Sequence, residues 1–179
     1  MMQDGNGNAA ELFISPSRGR RDFFEVVEDI IEFINEDNKS EYKVVVGTDS
    51  EQGNGSAEFV SVVVVHRVGK HGRYFWKRMN HIRTYDRHDR ILKEASFSLD
   101  LAQRIVSELR IKLQQHLYDF EIHLDIGQNG PTKTMIQEIV GMVTGSGFTA
   151  KIKPESYAAN KVADRHVNAF RGKNSVNLA

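Results

Sequence analysis

The hydrophobic positions of this chain change period partway along it. In residues 22–36, Phe23, Val26, Val27, Ile30, Ile31 and Ile34 recur at helical spacing, and Asp22 stands where an N-cap belongs. Residues 43–49 form a short β-branched run, apolar at successive positions, which predicts a central strand covered on both faces. Residues 51–56 read as a glycine-rich turn, 59–67 as a second strand, 69–72 as another turn, and 73–79, alternating basic with apolar or aromatic, as a third strand. Turns this short make the three strands antiparallel. After residue 85 the period becomes helical: Ile91, Ala95, Leu99, Ala102, Ile105, Val106, Leu109 and Leu113 mark one face of a long helix. A strand at 121–127 puts Ile122, Leu124 and Ile126 on one side and His123 and Asp125 on the other. A helix at 132–144 capped by Thr132, a strand at 148–153 and a helix at 157–170 complete the pattern. Helices between the later strands require a parallel, right-handed portion. The expected fold is α/β: a mixed five-stranded sheet, three antiparallel strands and then a parallel β-α-β-α portion, with an extra N-terminal helix.

Composition narrows the class more than the chemistry. The 179 residues suit one domain, expected over 11–171, with a disordered N-terminus at 1–10 and a flexible tail at 172–179. Without cysteine, the chain has no disulfide, thiolate nucleophile or cysteine-held zinc. No apolar run approaches the ~18 residues of a membrane span, and the acidic, glycine-rich start is unlike a secretory signal. A cytoplasmic protein with no membrane partner is the expectation. The formal net charge of zero conceals an asymmetry: residues 1–65 hold five Lys/Arg against thirteen Asp/Glu, and residues 66–93 hold nine against two. The basic block is interleaved with Tyr74, Phe75, Trp76 and Tyr85, a pattern suited to phosphates and bases. Arg73, Lys77 and Arg78 are its candidate nucleic-acid contacts. An edge strand guarded by basic residues carries the same pattern.

Four acids stand where an apolar core does not call for them. Asp49 closes the first strand's apolar run and Asp125 comes at the end of the fourth strand. Glu94 sits on a helix rim about 80° from the apolar centre at ~100° per residue, and Asp164 flanks the last helix's stripe. Ligands of such sheets bind outside the carboxyl ends of the strands. Carboxylates gathered there repel one another unless cations compensate. Hard oxygen donors select Mg²⁺ or Mn²⁺, and two such ions can drive in-line phosphoryl displacement without a side-chain nucleophile. Asp49, Glu94, Asp125 and Asp164 are therefore the candidate catalytic and metal-holding residues. Asn129, Lys153 and Lys161 are candidate substrate contacts, with Asn160 and His166 nearby in sequence. His123 is expected to be a hydrogen-bonded neighbour of the site. Gly127 and Gly130 precede a helix N-terminus, where a phosphate can sit or the chain can simply turn.

The segments VVVGTDSE (44–51), HRVGKHGRYFW (66–76), KEASFSLDLA (93–102), IHLDIGQNGPTK (122–133) and IKPESYAANKVADRH (152–166) resemble the bacterial YkuK family of ribonuclease H-like proteins. The resemblance runs from about Leu12, in LFISPSRG, to Asp164. It implies a ribonuclease H-like fold with the four acids as its site. Three function classes follow: a metal-dependent nuclease acting on RNA, RNA–DNA hybrid or structured DNA; a catalytically silent module of the same fold that binds nucleic acid or protein; and an actin-like ATPase using Asp125–Gly127 as a phosphate loop. The last normally needs two domains around a cleft, and this chain supplies one.

Overall fold

Valines 44, 45 and 46 are all buried, so the strand they lie on has no solvent face. The computed structural model describes residues 11–81, 83–113, 118–128, 133–163 and 166. In chain order the elements are β1 (Phe13–Ser15), β2 (Gly19–Arg21), α1 (Phe23–Asn35), β3 (Tyr42–Gly53), β4 (Ser56–Arg67), β5 (Gly72–His81), α2 (Arg87–Lys112), β6 (Tyr118–Gly127), a 3₁₀ turn (Lys133–Met135), α3 (Ile136–Gly145), β7 (Thr149–Lys153) and a π-helical segment (Ala158–Ala163). The strands form one mixed sheet in the order β2-β1-β5-β4-β3-β6-β7. Pairs β3–β6 and β6–β7 are parallel and the other pairs are antiparallel.

The sheet has seven strands rather than the expected five. The additional two are a three-residue hairpin, β1–β2, docked on β5 through Ile14 opposite Trp76. Segments this short carry too little alternation to read as strands. The β3–β4 hairpin also runs further than expected, pairing as far as Gly53 with Ser56. Only Asn54 and Gly55 turn it, both with positive φ (51° and 78°), as a tight Asn-Gly hairpin requires. Asp49 is consequently not at the end of β3. It lies inside the strand, because the antiparallel ladder with β4 carries β3 past it.

One face of the sheet packs against α1, α2 and α3 through Val44, Val46, Val63, Val65, Phe75, Ile122, Leu124 and Ile126. The other face presents Val45, Val60, Val62 and Val64 to Ala158 and Ala163 of the π-helical segment. The N-terminal helix is closed by a capping box: the Asp22 carboxylate accepts from the Glu25 amide at 2.9 Å, and the Glu25 carboxylate accepts from the Asp22 amide at 2.8 Å. The last helix appears as π-helix over Ala158–Ala163. The Thr132 cap, the tail at 172–179 and the segment at 1–10 lie outside the described residues. Replacing Asp22 by Ala removes one half of the capping box. The expected cost is about 1 kcal/mol, read as a fall of roughly 2–4 °C in the thermal midpoint for a chain of this size.

Candidate functional site

Alternation along β3 sorts the GTDS segment onto two faces. Thr48 and Ser50 turn toward α2, and Asp49 between them turns to the opposite face. The Ser98 hydroxyl lies 2.9 Å from Thr48 Oγ1, and Thr48 Oγ1 lies 2.8 Å from Ser61 Oγ. One turn earlier on α2, Glu94 accepts from the Ser50 hydroxyl. Arg90, one further turn back, donates to the Ser50 carbonyl at 2.7 Å and lies 3.7 Å from the Glu94 carboxylate. This polar seam fixes the start of α2 against β3. Its hydroxyls were not singled out from sequence, although Thr48/Ser50 at strand spacing and Glu94/Ser98 at helix spacing carry the pattern.

Glu94 is buried, only 7% exposed, rather than a rim residue facing solvent. Burial pushes its carboxyl up to about 8, and the charges of Asp49 and Asp125 push in the same direction. The Ser50 hydroxyl and the Arg90 guanidinium pull it the other way. Three acids from three separate elements therefore act on one another electrostatically.

The parallel ladder explains the meeting of Asp49 and Asp125. Strands β3 and β6 pair as far as Gly47 with His123. Two residues further along each strand come Asp49 and Asp125, on the same face. Asp125 also lies in an irregularity of the β6–β7 ladder. Between the pairs His123–Lys151 and Gly127–Lys153, the residues Leu124, Asp125 and Ile126 stand opposite Ile152 alone. Such bulges bend a strand and re-aim its side chains. Among the described residues, Lys153 pairs with Asp125: its Nζ lies 2.9 Å from one Asp125 oxygen and 3.1 Å from the other.

His123 is a hydrogen-bonded neighbour, as expected. It is 1% exposed, with Nε2 3.0 Å from Glu121 and Nδ1 accepting from the Ala158 amide at 3.2 Å. Burial lowers its pKa, so the ring is neutral, with Nε2–H donating to Glu121. Glu121 also holds Lys43 at 2.8 Å. His123 thus ties β6 to the start of the π-helical segment. Asp164 and Asn129, with Gly130 and the Asn160 side chain, lie outside the described residues, and Lys161 is exposed on the π-helical segment. His166 stacks on Trp76 at 4.3 Å, over β5 rather than over the acids. Among the described residues, no three His, Asp or Glu side chains are gathered closely enough to hold a metal ion.

Arg73, Lys77 and Arg78 of the basic block all have partners within the fold. Arg73 donates to Glu36 at 2.6 Å and lies over the Phe33 ring. Lys77 is buried against Glu11. Arg78 pairs with Glu58 at 3.0 Å and donates to the His166 carbonyl at 2.7 Å. Phe75 is core, Tyr85 packs with Phe59, and Tyr74 and Trp76 pack on the valine face. Each of these three cations therefore has an acidic partner within the fold, Glu36, Glu11 and Glu58 in turn.

Over residues 25–168 the chain matches the Ribonuclease H-like family. It belongs to that family. It is also 34% identical over 168 residues to the uncharacterized protein YkuK of Bacillus subtilis (strain 168), an alignment covering 86% of this chain and 95% of that protein. The YkuK-like resemblance read from the motifs is thereby supported by overall similarity. No solved structure matches the chain. Among the described residues, no helix is long and apolar enough to cross a membrane.

Two outcomes follow from this geometry. With its carboxyl raised from 4.5 to about 8, Glu94 contributes stability that is complete below pH 4.5 and is lost as pH rises through 8. In metal-free protein, Glu94→Gln should therefore gain on wild type across that window, by an amount on the order of a few kcal/mol. Denaturant midpoints at several pH values measure it, and a constant difference would contradict the buried, protonated carboxyl. Arg73→Ala with Lys77→Ala should lower the thermal midpoint by several degrees while leaving the salt dependence of any nucleic-acid binding unchanged. A flatter salt slope would return those residues to the binding surface.

Proposed function

We propose that this protein is a divalent-metal-dependent nuclease that hydrolyses phosphodiesters of RNA, RNA–DNA hybrid or structured DNA. The observation that carries the reading is the electrostatic convergence of Asp49, Glu94 and Asp125, contributed by β3, α2 and β6. A carboxyl raised first by burial, and further by the charges of two other carboxylates, marks a place where positive charge is wanted. Oxygen donors of this kind fit Mg²⁺ or Mn²⁺, in keeping with the general use of divalent metals in the ribonuclease H-like family. Asp49, Glu94 and Asp125 would hold the ions, together with Asp164. The metal would supply an activated water and stabilise the leaving oxygen.

The chain's own residues have separable tasks. Asp125, re-aimed by the ladder irregularity, and Asp49 present carboxylate oxygens at the opening between β3 and β6. Ser50 and Arg90 hold Glu94 at the edge of α2, and Glu94 would lose its proton on holding a cation. A substrate phosphate would meet the carboxyl ends of β6 and β7, where Lys151 and Lys153 stand, paired with Glu155 and Asp125.

The catalytically silent reading draws on a different observation. Lys153 already neutralises Asp125, and the described acids do not close around a single point. One experiment separates the two. Thermal melts of wild type and Asp125→Asn are recorded with and without millimolar Mg²⁺ or Mn²⁺. An ion at ~100 times its dissociation constant adds about 2.7 kcal/mol, which is a rise of roughly 5–11 °C at about 2–4 °C per kcal/mol. The nuclease reading expects this rise in wild type, its loss in the variant, and cleavage of an RNA–DNA hybrid by wild type only. Wild-type cleavage by Asp125→Asn would remove the two-metal reading, and no rise in either protein would favour the binding module.

A further inference from the structure

Lys153 stands where a carboxylate cluster most needs positive charge. Its ammonium reaches both oxygens of Asp125 from the end of β7, at 2.9 and 3.1 Å. The neighbouring cations have other partners: Arg90 is held by Ser50 and Glu94, and Lys151 by Glu155 at 3.0 Å. The Lys153 contact is also built into the backbone. Gly127 is paired with Lys153 across the parallel ladder, and a Cβ at position 127 would come within 3.1 Å of the Lys153 Cβ. Glycine at that position keeps the room through which the lysine stem passes.

The contact is open to solvent. The Lys153 side chain is 48% exposed, and it borders an open hollow of about 670 Å³ at the carboxyl ends of β6 and β7, lined also by Gly127, Gln128, Lys151 and Glu155. A lysine is a compact charge on a flexible stem, able to leave one carboxylate for solvent at little cost. A single ammonium brings one positive charge to Asp125, whereas a divalent ion brings twice that.

We propose that Lys153 is the site's resident counter-ion: it neutralises Asp125 in the metal-free protein and is displaced into the hollow when a divalent ion binds Asp125. The proposal rests on the metal-binding reading given above. It accounts for how the acids can be folded side by side before any metal arrives. Metal and ammonium compete for the same carboxylate, so each weakens the other's hold on it. The metal-free fold gains stability from Lys153 at the expense of metal affinity.

The test uses the full chain with Mn²⁺ as the probe, in wild type, Lys153→Met and Lys153→Arg. Mn²⁺ binding is followed by the loss of the free-ion electron paramagnetic resonance signal, and stability by thermal melts. Lys153→Met keeps the stem but loses the charge. It should melt lower than wild type without metal, bind Mn²⁺ roughly five- to a hundredfold more tightly, the usual span for coupled sites, and gain more degrees on adding Mn²⁺. Lys153→Arg restores the charge and should return the affinity toward that of wild type. Binding by Lys153→Met alone would also support the proposal, as competition strong enough to exclude the ion. Equal or weaker Mn²⁺ affinity in Lys153→Met, with wild type binding, would overturn the counter-ion role and leave the metal site standing. Absence of Mn²⁺ binding in all three proteins would overturn both.

Discussion

Strand β3 is buried on both faces, and most of the architecture follows from that. A strand with no solvent face needs a neighbour on each edge and a layer above and below. Strands β4 and β6 supply the edges, α2 with the other helices supplies one layer, and the segment at 158–163 supplies the other. Once both faces are covered, strand alternation acts as a sorting device. Thr48 and Ser50 fall on the helix side, where they are hydrogen-bonded within a dry seam. Asp49 falls on the other side, where the parallel neighbour's Asp125 comes alongside. Water cannot solvate these groups freely, so each must be neutralised by a proton, a cation or a hydrogen-bond donor. Glu94 keeps a proton, Asp125 takes Lys153, and Ser50 and Arg90 brace the helix side.

A second constraint is the separation of charge along the chain. The acidic first third and the basic middle block would each repel themselves in isolation. Folding lays the end of α1, the segment around Glu11 and strand β4 against β5, so that Glu36, Glu11 and Glu58 meet Arg73, Lys77 and Arg78. Arg67 completes this junction from β4, bonded to Tyr42 and Glu36 beneath the Phe33 ring. A basic strand in sequence is thereby a neutral seam in the fold. The positive charge available near the acids comes instead from Arg90, Lys151 and Lys153.

Much of this was legible in the chain. The long α2 stripe, the valine-rich strands and the Asn-Gly turn are local patterns, and each became the element its period predicts. Asp49 and Asp125 were legible as site candidates because a carboxylate flanked by buried apolar residues has no apolar reason to be there. The hairpin at 13–21 was not legible, because three-residue strands derive their existence from docking on β5 and not from their own alternation. The burial of Glu94 was not legible either: a helical wheel places it on a rim, and only the closeness of β3 decides that the rim is dry.

The sequence by itself therefore determined which residues are apolar at which period, hence the order of strands and helices and the family to which the chain belongs. These are properties of neighbours along the chain. The tertiary structure alone decided which charges meet. Arg73 and Glu36 are 37 residues apart, and Lys153 and Asp125 are 28 apart. Whether a cation faces solvent, a core carboxylate or a substrate depends on such distant pairings. They are set by strand register and layer packing, because electrostatic energy falls with distance through space and takes no account of distance along the chain.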